Sequence, residues 1–474
     1  KMGVWRRFNE TVTIEPTIFF FFLGVTITVQ SWPQTLYTKF CWSDQRNLTL
    51  CSNGTWEEAH PALQAKTSIW TIYSNITTFI PALIGVTLLS GYSDRHGLLP
   101  ALLLPHITTM ISSIWTIIQV VFLDWDASLM LLSSFASGCG GYFTLVFSGC
   151  VTYLTRDPYV RNVGTRIAVL EAVRTAADGI GALIIGPILD SPNGLIKAWS
   201  LCLALSVIVI LDILFRLRRL PDPPNILLDS QSTKGCCSLL KTCCNLDTIK
   251  SYLHVVSKKR SYGRRLHIHV VTAAVMIGYL AIIGVIDIQF LYITKEYGRT
   301  NTTYSIWNGI ICASSFVGTI VLGYVFTAIY PIADMTFCII GVVGNTVSFA
   351  LLVYAQHPVF FWVSAILRVF NNYPIIGGRL YITHNMDKNE QASGFGYYAT
   401  IQTLVTIFAS VIFNYIYPQT LAYWPGLCFA VAAGLTVLTG PFFTLVRYKD
   451  IKNGLDSLSV RRVDGSDVAV EYHK

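Results

Sequence analysis

Charged side chains are scarce in this sequence. Asp, Glu, Lys and Arg make up 13% of its 474 residues and hydrophobic residues 53%, whereas soluble domains carry about a quarter charged residues. Together with a mean hydropathy of +0.53, this composition argues against a water-soluble enzyme and indicates a polytopic membrane protein. The net charge of +8 does not require a nucleic-acid partner, because the basic residues lie where membrane topology places them.

Motifs of catalysis are also missing. No His/Cys metal cluster lies inside an apolar run, and the sequence has no phosphate-binding loop and no nucleophile elbow. We therefore predict a protein that is not an enzyme, that holds no metal or cofactor and that binds no nucleic acid. The sequence leaves its oligomeric state open.

Apolar runs dominate the chain, and a membrane-spanning helix needs roughly 20 such residues. The sequence predicts an all-α polytopic membrane protein with twelve transmembrane helices in two six-helix halves. The predicted segments are a cytosolic N-terminus 1–16, an N-terminal half 17–216, a cytosolic linker 217–265, a C-terminal half 266–447 and a cytosolic tail 448–474. The runs fall at 17–40, 67–90, 99–123, 127–153, 164–189, 196–216, 267–293, 304–328, 334–355, 358–384, 393–417 and 421–446.

The distribution of basic residues sets the predicted orientation. With both termini in the cytosol, 25 Lys and Arg residues lie at cytosolic segments and six lie in outer loops, as the positive-inside rule requires. N-glycosylation sequons at Asn47, Asn53 and Asn301 fall in predicted outer loops, where glycans are added. Cys41 and Cys51 share the first outer loop, so they either form a disulfide or remain thiols.

Two cysteine pairs, Cys236-Cys237 and Cys243-Cys244, lie in the basic linker. Reduced thiols and palmitoylation beside the membrane both fit this setting. A zinc site is the least favoured interpretation, because the paired spacing differs from that of zinc ligands.

Ionisable residues inside apolar runs are costly in hydrocarbon, so each is expected to face a cavity or a partner. In the fifth run, Glu171, Arg174 and Asp178 are three and four residues apart. This spacing places them on one helical face. They form either structural ion pairs or part of a polar site.

Span ten carries Arg368 and Arg379, and span seven carries Asp287. Eleven residues nearly complete three helical turns, so an unbroken helix would point both arginines the same way, about 16 Å apart. Asp287 by itself is also compatible with a satisfied contact between helices. Three arginines facing a cavity, with Arg174 as the third, favour a site for an organic anion, because guanidinium groups stay charged and present paired donors to carboxylates.

The turn after span two reads Asp94-Arg95-His96-Gly97. An Asp and a Gly three residues apart in a basic turn between two helices resemble the cytosolic loop motif of the major facilitator superfamily. In that superfamily the Asp latches the inner gate. A capped turn without a gating role is the alternative interpretation.

Several short pieces of the sequence narrow the resemblance within that superfamily. They are Ser93-Asp94 with Gly97 and Pro100, Gly138-Cys139-Gly140-Gly141, Val169-Leu170-Glu171-Ala172, Gly284 with Asp287, Arg379 followed by Glu390-Gln391, Ile412-Phe413-Asn414 with Tyr417-Pro418, and Cys51-Ser52-Asn53. With these pieces the sequence resembles the proton-coupled folate transporter family, solute carrier family 46, over 67–223 and 284–425. The resemblance implies the fold and the proton-coupled anion transport of that family.

The resemblance also implies roles for individual residues. Glu171 matches the family's Glu of span five, which is linked to proton coupling. Arg379 matches its Arg of span ten, which is linked to the handling of substrate and protons, and Asp287 matches its Asp of span seven. Ile282 and Cys139 stand where the folate transporter has a His and an Asp, which leaves the substrate open. Further candidates to line the site are Gln30, Trp32, Tyr292, Tyr398 and Gln402.

We therefore expect a secondary transporter that carries a small organic anion, folate-like or muropeptide-like, together with protons by alternating access. A proton-independent facilitator and a non-transporting receptor on a transporter fold are the alternatives. The membrane is expected to be the plasma membrane or the endolysosomal membrane.

Overall fold

We examined a computed structural model of the chain. The described residues form helices, turns and bends, and they contain no strand. Most of the predicted linker and tail, and most of the predicted N-terminus, lie outside the described residues. The structure describes residues 13–45, 61–96, 98–156, 163–217, 257–258, 260, 263–297, 301–322, 332–353, 358–386, 391–421 and 423–454.

Among the described residues, the N-terminal half contains seven α-helices, of which α4 and α5 share one span. Their bounds are α1 Glu15–Gln45, α2 Pro61–His96, α3 Leu99–Val121, α4 Met130–Cys139, α5 Tyr142–Arg156, α6 Val163–Leu189 and α7 Gly194–Phe215. The C-terminal half repeats this plan, with α11 and α12 sharing one span. Its helices are α8 Arg264–Tyr297, α9 Asn301–Val317, α10 Asp334–Val353, α11 Pro358–Leu367, α12 Tyr373–Asn385, α13 Gln391–Thr420 and α14 Leu427–Lys452.

The helices reproduce the predicted spans closely. In the described part of the chain, 11 helical segments are long and apolar enough to cross a membrane. Helix α1 covers the predicted first span and has 31 residues, but it is not among the 11, because Thr, Ser and Gln side chains interrupt its apolar sequence over 26–35. The all-α fold with spans in two halves is confirmed.

Each half has its own apolar core, and two helix pairs form the most extensive contacts between the halves. Trp199 is buried in the core of the N-terminal half and Trp307 in a core of the C-terminal half. Between the halves, α6 packs along α9 and α2 packs along α13. These two helix pairs enclose a central space.

The fourth span of each half is interrupted at the level of this space. In the N-terminal half, α4 and α5 are separated by Gly140 and Gly141, and Gly141 adopts a positive φ of 81°, which glycine tolerates best. Gly138 faces the backbone of Thr78 on α2 with no room for a Cβ. Interrupted helices at matching positions of two halves mark the binding site in many transporters.

The matching interruption in the C-terminal half corrects one expectation. Helix α11 ends at Leu367, a 3₁₀ turn covers Arg368–Phe370, and α12 begins at Tyr373. Pro374 in the first turn of α12 has no N–H to continue the preceding helix. The prediction that Arg368 and Arg379 lie on one unbroken helix is therefore wrong.

Candidate functional site

A cavity of about 380 Å³ lies between the two halves. This volume is within the range of small-molecule sites. Side chains from both halves form its wall, in which apolar and aromatic residues alternate with a slightly larger number of Ser, Thr, Asn, Gln and charged residues. The aromatic ones include Phe22, Trp32, Phe79, Phe147, Phe290 and Tyr398.

Six charged side chains line this cavity, and all six were predicted from the sequence. Three are carboxylates and three are guanidinium groups, so their formal charges cancel when every group is ionised. Among the described lining residues there is no Lys and no His. The six are Glu171, Asp178, Asp287, Arg174, Arg368 and Arg379.

Glu171 is the centre of a chain of ion pairs that crosses from one half to the other. Its Oε2 accepts from Arg174 Nε at 2.9 Å, and its Oε1 pairs with Arg379 on α12. Arg174 Nη1 in turn reaches Asp178 Oδ2 at 2.8 Å. Because Glu171 is only 4% exposed, the pair with Arg379 is shielded from water. The three residues of α6 thus do form ion pairs with one another, and they also bind the opposite half.

Arg379 is held by aromatic rings as well as by charge. Its guanidinium carbon lies 4.7 Å from the ring centre of Phe147 and 5.4 Å from that of Tyr398. Phe147 belongs to the N-terminal half, so this cation–π contact also joins the halves. Sequence reasoning missed Phe147, because an aromatic residue in an apolar span carries no signal of such a partner.

Asp287 lies at a second junction between the halves. Its Oδ2 accepts from Asn75 Nδ2 at 2.9 Å and from Asn414 Nδ2 at 3.0 Å. Asn75 also donates to Ser410 at 2.7 Å, and Ser68 donates to Asn414. Neither Asn75 nor Asn414 was among the residues predicted for this site. Amide side chains inside apolar runs were the available signal.

Arg368 differs from the other two arginines. Its Nε donates to Ser348 at 3.1 Å and its Nη1 to Asn371 at 3.1 Å, and the guanidinium stacks 4.3 Å from the ring centre of Phe349. Within the described part of the chain no carboxylate is close enough for an ion pair with it. Its positive charge therefore lacks the local compensation that Glu171 gives Arg379.

The remaining predicted wall residues are mostly where they were expected. Gln30 lines the cavity and its Oε1 accepts from Ser305 across the halves at 3.2 Å. Gln402 also lines the cavity and hydrogen-bonds Tyr279. Tyr292 does not line it, because its hydroxyl donates instead to the Leu352 carbonyl.

Several predicted residues lie at or beyond the limits of the described structure. Asp94 and Arg95 belong to the last turns of α2, whose side chains are not described there. Asn301, the first residue of α9, donates its Nδ2 to Asp190 at 2.8 Å, and Cys41 is disulfide-bonded. Gating, glycosylation and the Cys41–Cys51 pairing remain predictions. Outside the described residues are Gly97, Asn47, Asn53, Cys51, Cys236, Cys237, Cys243 and Cys244.

The architecture of two halves around a central cavity has matches among known proteins. The family model of the Major Facilitator Superfamily matches residues 16–410. The chain belongs to the major facilitator superfamily. It is therefore a multi-pass membrane transporter of small molecules and not an enzyme.

Relatives in this superfamily confirm the resemblance to solute carrier family 46. The human lysosomal proton-coupled steroid conjugate and bile acid symporter SLC46A3 is 22% identical over 468 residues, which cover 96% of this chain and 98% of the relative. The bovine proton-coupled folate transporter is 24% identical over 435 residues, 89% of each chain. Among solved structures, the human organic anion transporter MFSD10 aligns with a TM-score of 0.65 and 13% identity over 92% of this chain and 99% of that one.

Proposed function

We propose that this transporter is a symporter that moves one proton with one organic monoanion by alternating access. The charge balance of the cavity carries this proposal. Three carboxylates and three guanidinium groups line it, so binding one proton to a carboxylate leaves a single positive charge. A monoanion restores neutrality, and each ligand therefore favours binding of the other.

Glu171 is the carboxylate best placed to receive the proton. It holds Arg379 of the opposite half and Arg174 of its own helix. Protonation removes the negative charge that both arginines share. The contact between the halves weakens at this level, and the cavity gains one net positive charge, which favours binding of an anion.

Asp287 is proposed as a second proton site at the other junction. It accepts two amide hydrogen bonds that join α2, α8 and α13. A proton on Asp287 competes with these donors. The two carboxylates thus contribute to different contacts between the halves, as alternation between two open states requires.

The relatives support the proton and the anion in this proposal. The names of the human relative and of the bovine relative both specify proton coupling. The human relative is described as lysosomal, and the endolysosomal membrane is therefore the location we favour over the plasma membrane. In that membrane, a lumen two pH units more acidic than the cytosol would drive the anion out of the lumen. With one proton per anion, export would stop when the anion is about 100-fold more concentrated in the cytosol.

Uptake at controlled pH tests this function. The wild type, Glu171→Gln and the surface control Arg265→Gln would be directed to the plasma membrane and assayed with a labelled steroid monosulfate and labelled folate at pH 5.5 and 7.5. We expect uptake of an anion that is larger at pH 5.5, retained in Arg265→Gln and insensitive to pH in Glu171→Gln.

Other outcomes identify the alternatives. A flux that is equal at both pH values in the wild type would make this protein a proton-independent facilitator. No flux of any anion, with the protein at the cell surface, would favour a receptor role.

A further inference from the structure

Some buried polar atoms of the cavity wall lack a hydrogen-bond partner. All of them can donate a hydrogen bond. Leaving a buried donor unsatisfied is costly, so such atoms call for an explanation. Three are N–H groups and the fourth is a hydroxyl, and none is a carbonyl or carboxylate oxygen. They are Gln30 Nε2, Trp32 Nε1, Ser74 Oγ and Arg368 Nη2, in the described part of the chain.

Arg368 provides the charged end of this set. It is 4% exposed, two of its three nitrogens are used by Ser348 and Asn371, and Nη2 has no acceptor among the described residues. Arg174 and Arg379, by contrast, are both ion-paired with Glu171. Arg368 is thus the cavity arginine with unused capacity for an anion, and a carboxylate or sulfate oxygen would satisfy its remaining donor.

Gln30 and Trp32 provide the neutral end, on α1 of the opposite half. Ser305 of α9 donates to Gln30, and Ser315 of α9 donates to the carbonyl of Arg368. Ten residues of α9 separate these serines, so the Gln30 side chain and the backbone of Arg368 lie at levels about 15 Å apart along the helix. Between the serines, Asn308, Ile311 and Cys312 of α9 line the cavity.

We infer that Arg368 anchors the anionic group of the substrate, while Gln30 and Trp32 recognise a neutral hydrogen-bond acceptor at its far end. This inference rests on the proposed function and names the residues that give it specificity. Arg379 then serves the contact between the halves rather than substrate anchoring. A substrate must contact both halves through this arrangement, and its length as well as its charge is selected.

The test measures binding to the purified full-length protein with three probes. The first is a steroid monosulfate with a keto group at the end opposite the sulfate, the second is the neutral parent steroid, and the third is the monosulfate without the keto group. Variants are Arg368→Gln, Arg368→Lys, Gln30→Ala and the control Arg265→Gln.

We expect the affinity for both monosulfates to fall at least about tenfold in Arg368→Gln, with less loss in Arg368→Lys and none in Arg265→Gln. The affinity for the neutral parent should be unchanged by Arg368→Gln. Gln30→Ala should lower the affinity for the keto monosulfate and leave the affinity for the monosulfate without the keto group unchanged. If Arg368→Gln fails to fold, Arg368→Lys and Gln30→Ala still decide the outcome.

Two results would overturn the inference. One is equal binding of the keto monosulfate by the wild type, Arg368→Gln and Gln30→Ala. The other is a wild type that binds neither monosulfate. A different result would contradict the proposed function and not this inference. In that result the wild type binds the monosulfates, but its uptake of them does not depend on pH.

Discussion

The ion-pair chain around Glu171 makes a quantitative prediction about the stability of the protein. Glu171→Gln removes one carboxylate from two arginines at once, because Oε1 serves Arg379 and Oε2 serves Arg174. Arg379→Gln removes one ion pair of Glu171, together with the cation–π contacts of Arg379 with Phe147 and Tyr398, and it leaves Glu171 bound to Arg174. The two substitutions should therefore differ in cost, although they affect the same contact.

The magnitudes follow from the number of bonds lost. A hydrogen bond to a charged group contributes about 1.5–3 kcal/mol and the cation–π contacts about 1 kcal/mol, so we expect Arg379→Gln to lower the free energy of unfolding by about 3 kcal/mol. Glu171→Gln should lower it by about 4 kcal/mol. The double variant should cost about 5 kcal/mol, which gives a coupling energy of about 2 kcal/mol between the two sites.

The assay is unfolding of the purified protein by titration with sodium dodecyl sulfate in detergent micelles, followed by tryptophan fluorescence. In a control double-mutant cycle, the free-energy costs of Glu171→Gln and of the exposed Arg265→Gln should add, because the two residues do not contact each other. Equal costs for the two single variants would refute the reasoning, and so would a double variant whose cost is the sum of both.

Two further predictions concern packing and the second junction. Gly284→Ala should lower the free energy of unfolding by about 1–3 kcal/mol, because the added Cβ would lie 2.6 Å from Phe413 Cε2. Gly278→Ala on the same helix is the control. Its added Cβ would meet no atom closer than 3.9 Å, so this substitution should be neutral. Unfolding titrations of both variants check this, and equal midpoints would contradict it. Asn75→Ala should lower the free energy of unfolding by about 2–3 kcal/mol, because it removes the hydrogen bond to the Asp287 carboxylate and the one to Ser410. Thr77→Ala, whose hydroxyl donates within its own helix, is its control, and a similar loss in both variants would show that the contact between the halves contributes nothing.

The helices and the charged wall of the cavity were accessible from the sequence because both depend on composition. A run of apolar residues long enough to span the membrane must form a helix there, since its backbone polar groups have no other partner. A charged residue in such a run must avoid lipid. These two rules place the twelve predicted spans and select the six ionisable residues of the wall without any knowledge of packing.

The pairing of these residues was decided by the tertiary structure. Glu171 and Arg379 come from different halves of the chain, and no local pattern connects them. The faces of the spans are also hard to assign from sequence, because lipid and protein interior are similarly apolar. Phe147 beneath Arg379 and the two asparagines at Asp287 were missed for this reason.

The break between α11 and α12 also separates what local residue types determine from what tertiary packing determines. The sequence determined that Arg368 and Arg379 belong to one span and that both would face a cavity. In the structure Arg368 lies in a 3₁₀ turn, Arg368–Phe370, and its guanidinium donates to Ser348 and Asn371. Local residue types therefore determined which groups are present in the cavity, and only the packing of distant helices determined which arginines are neutralised by a carboxylate and which one is not.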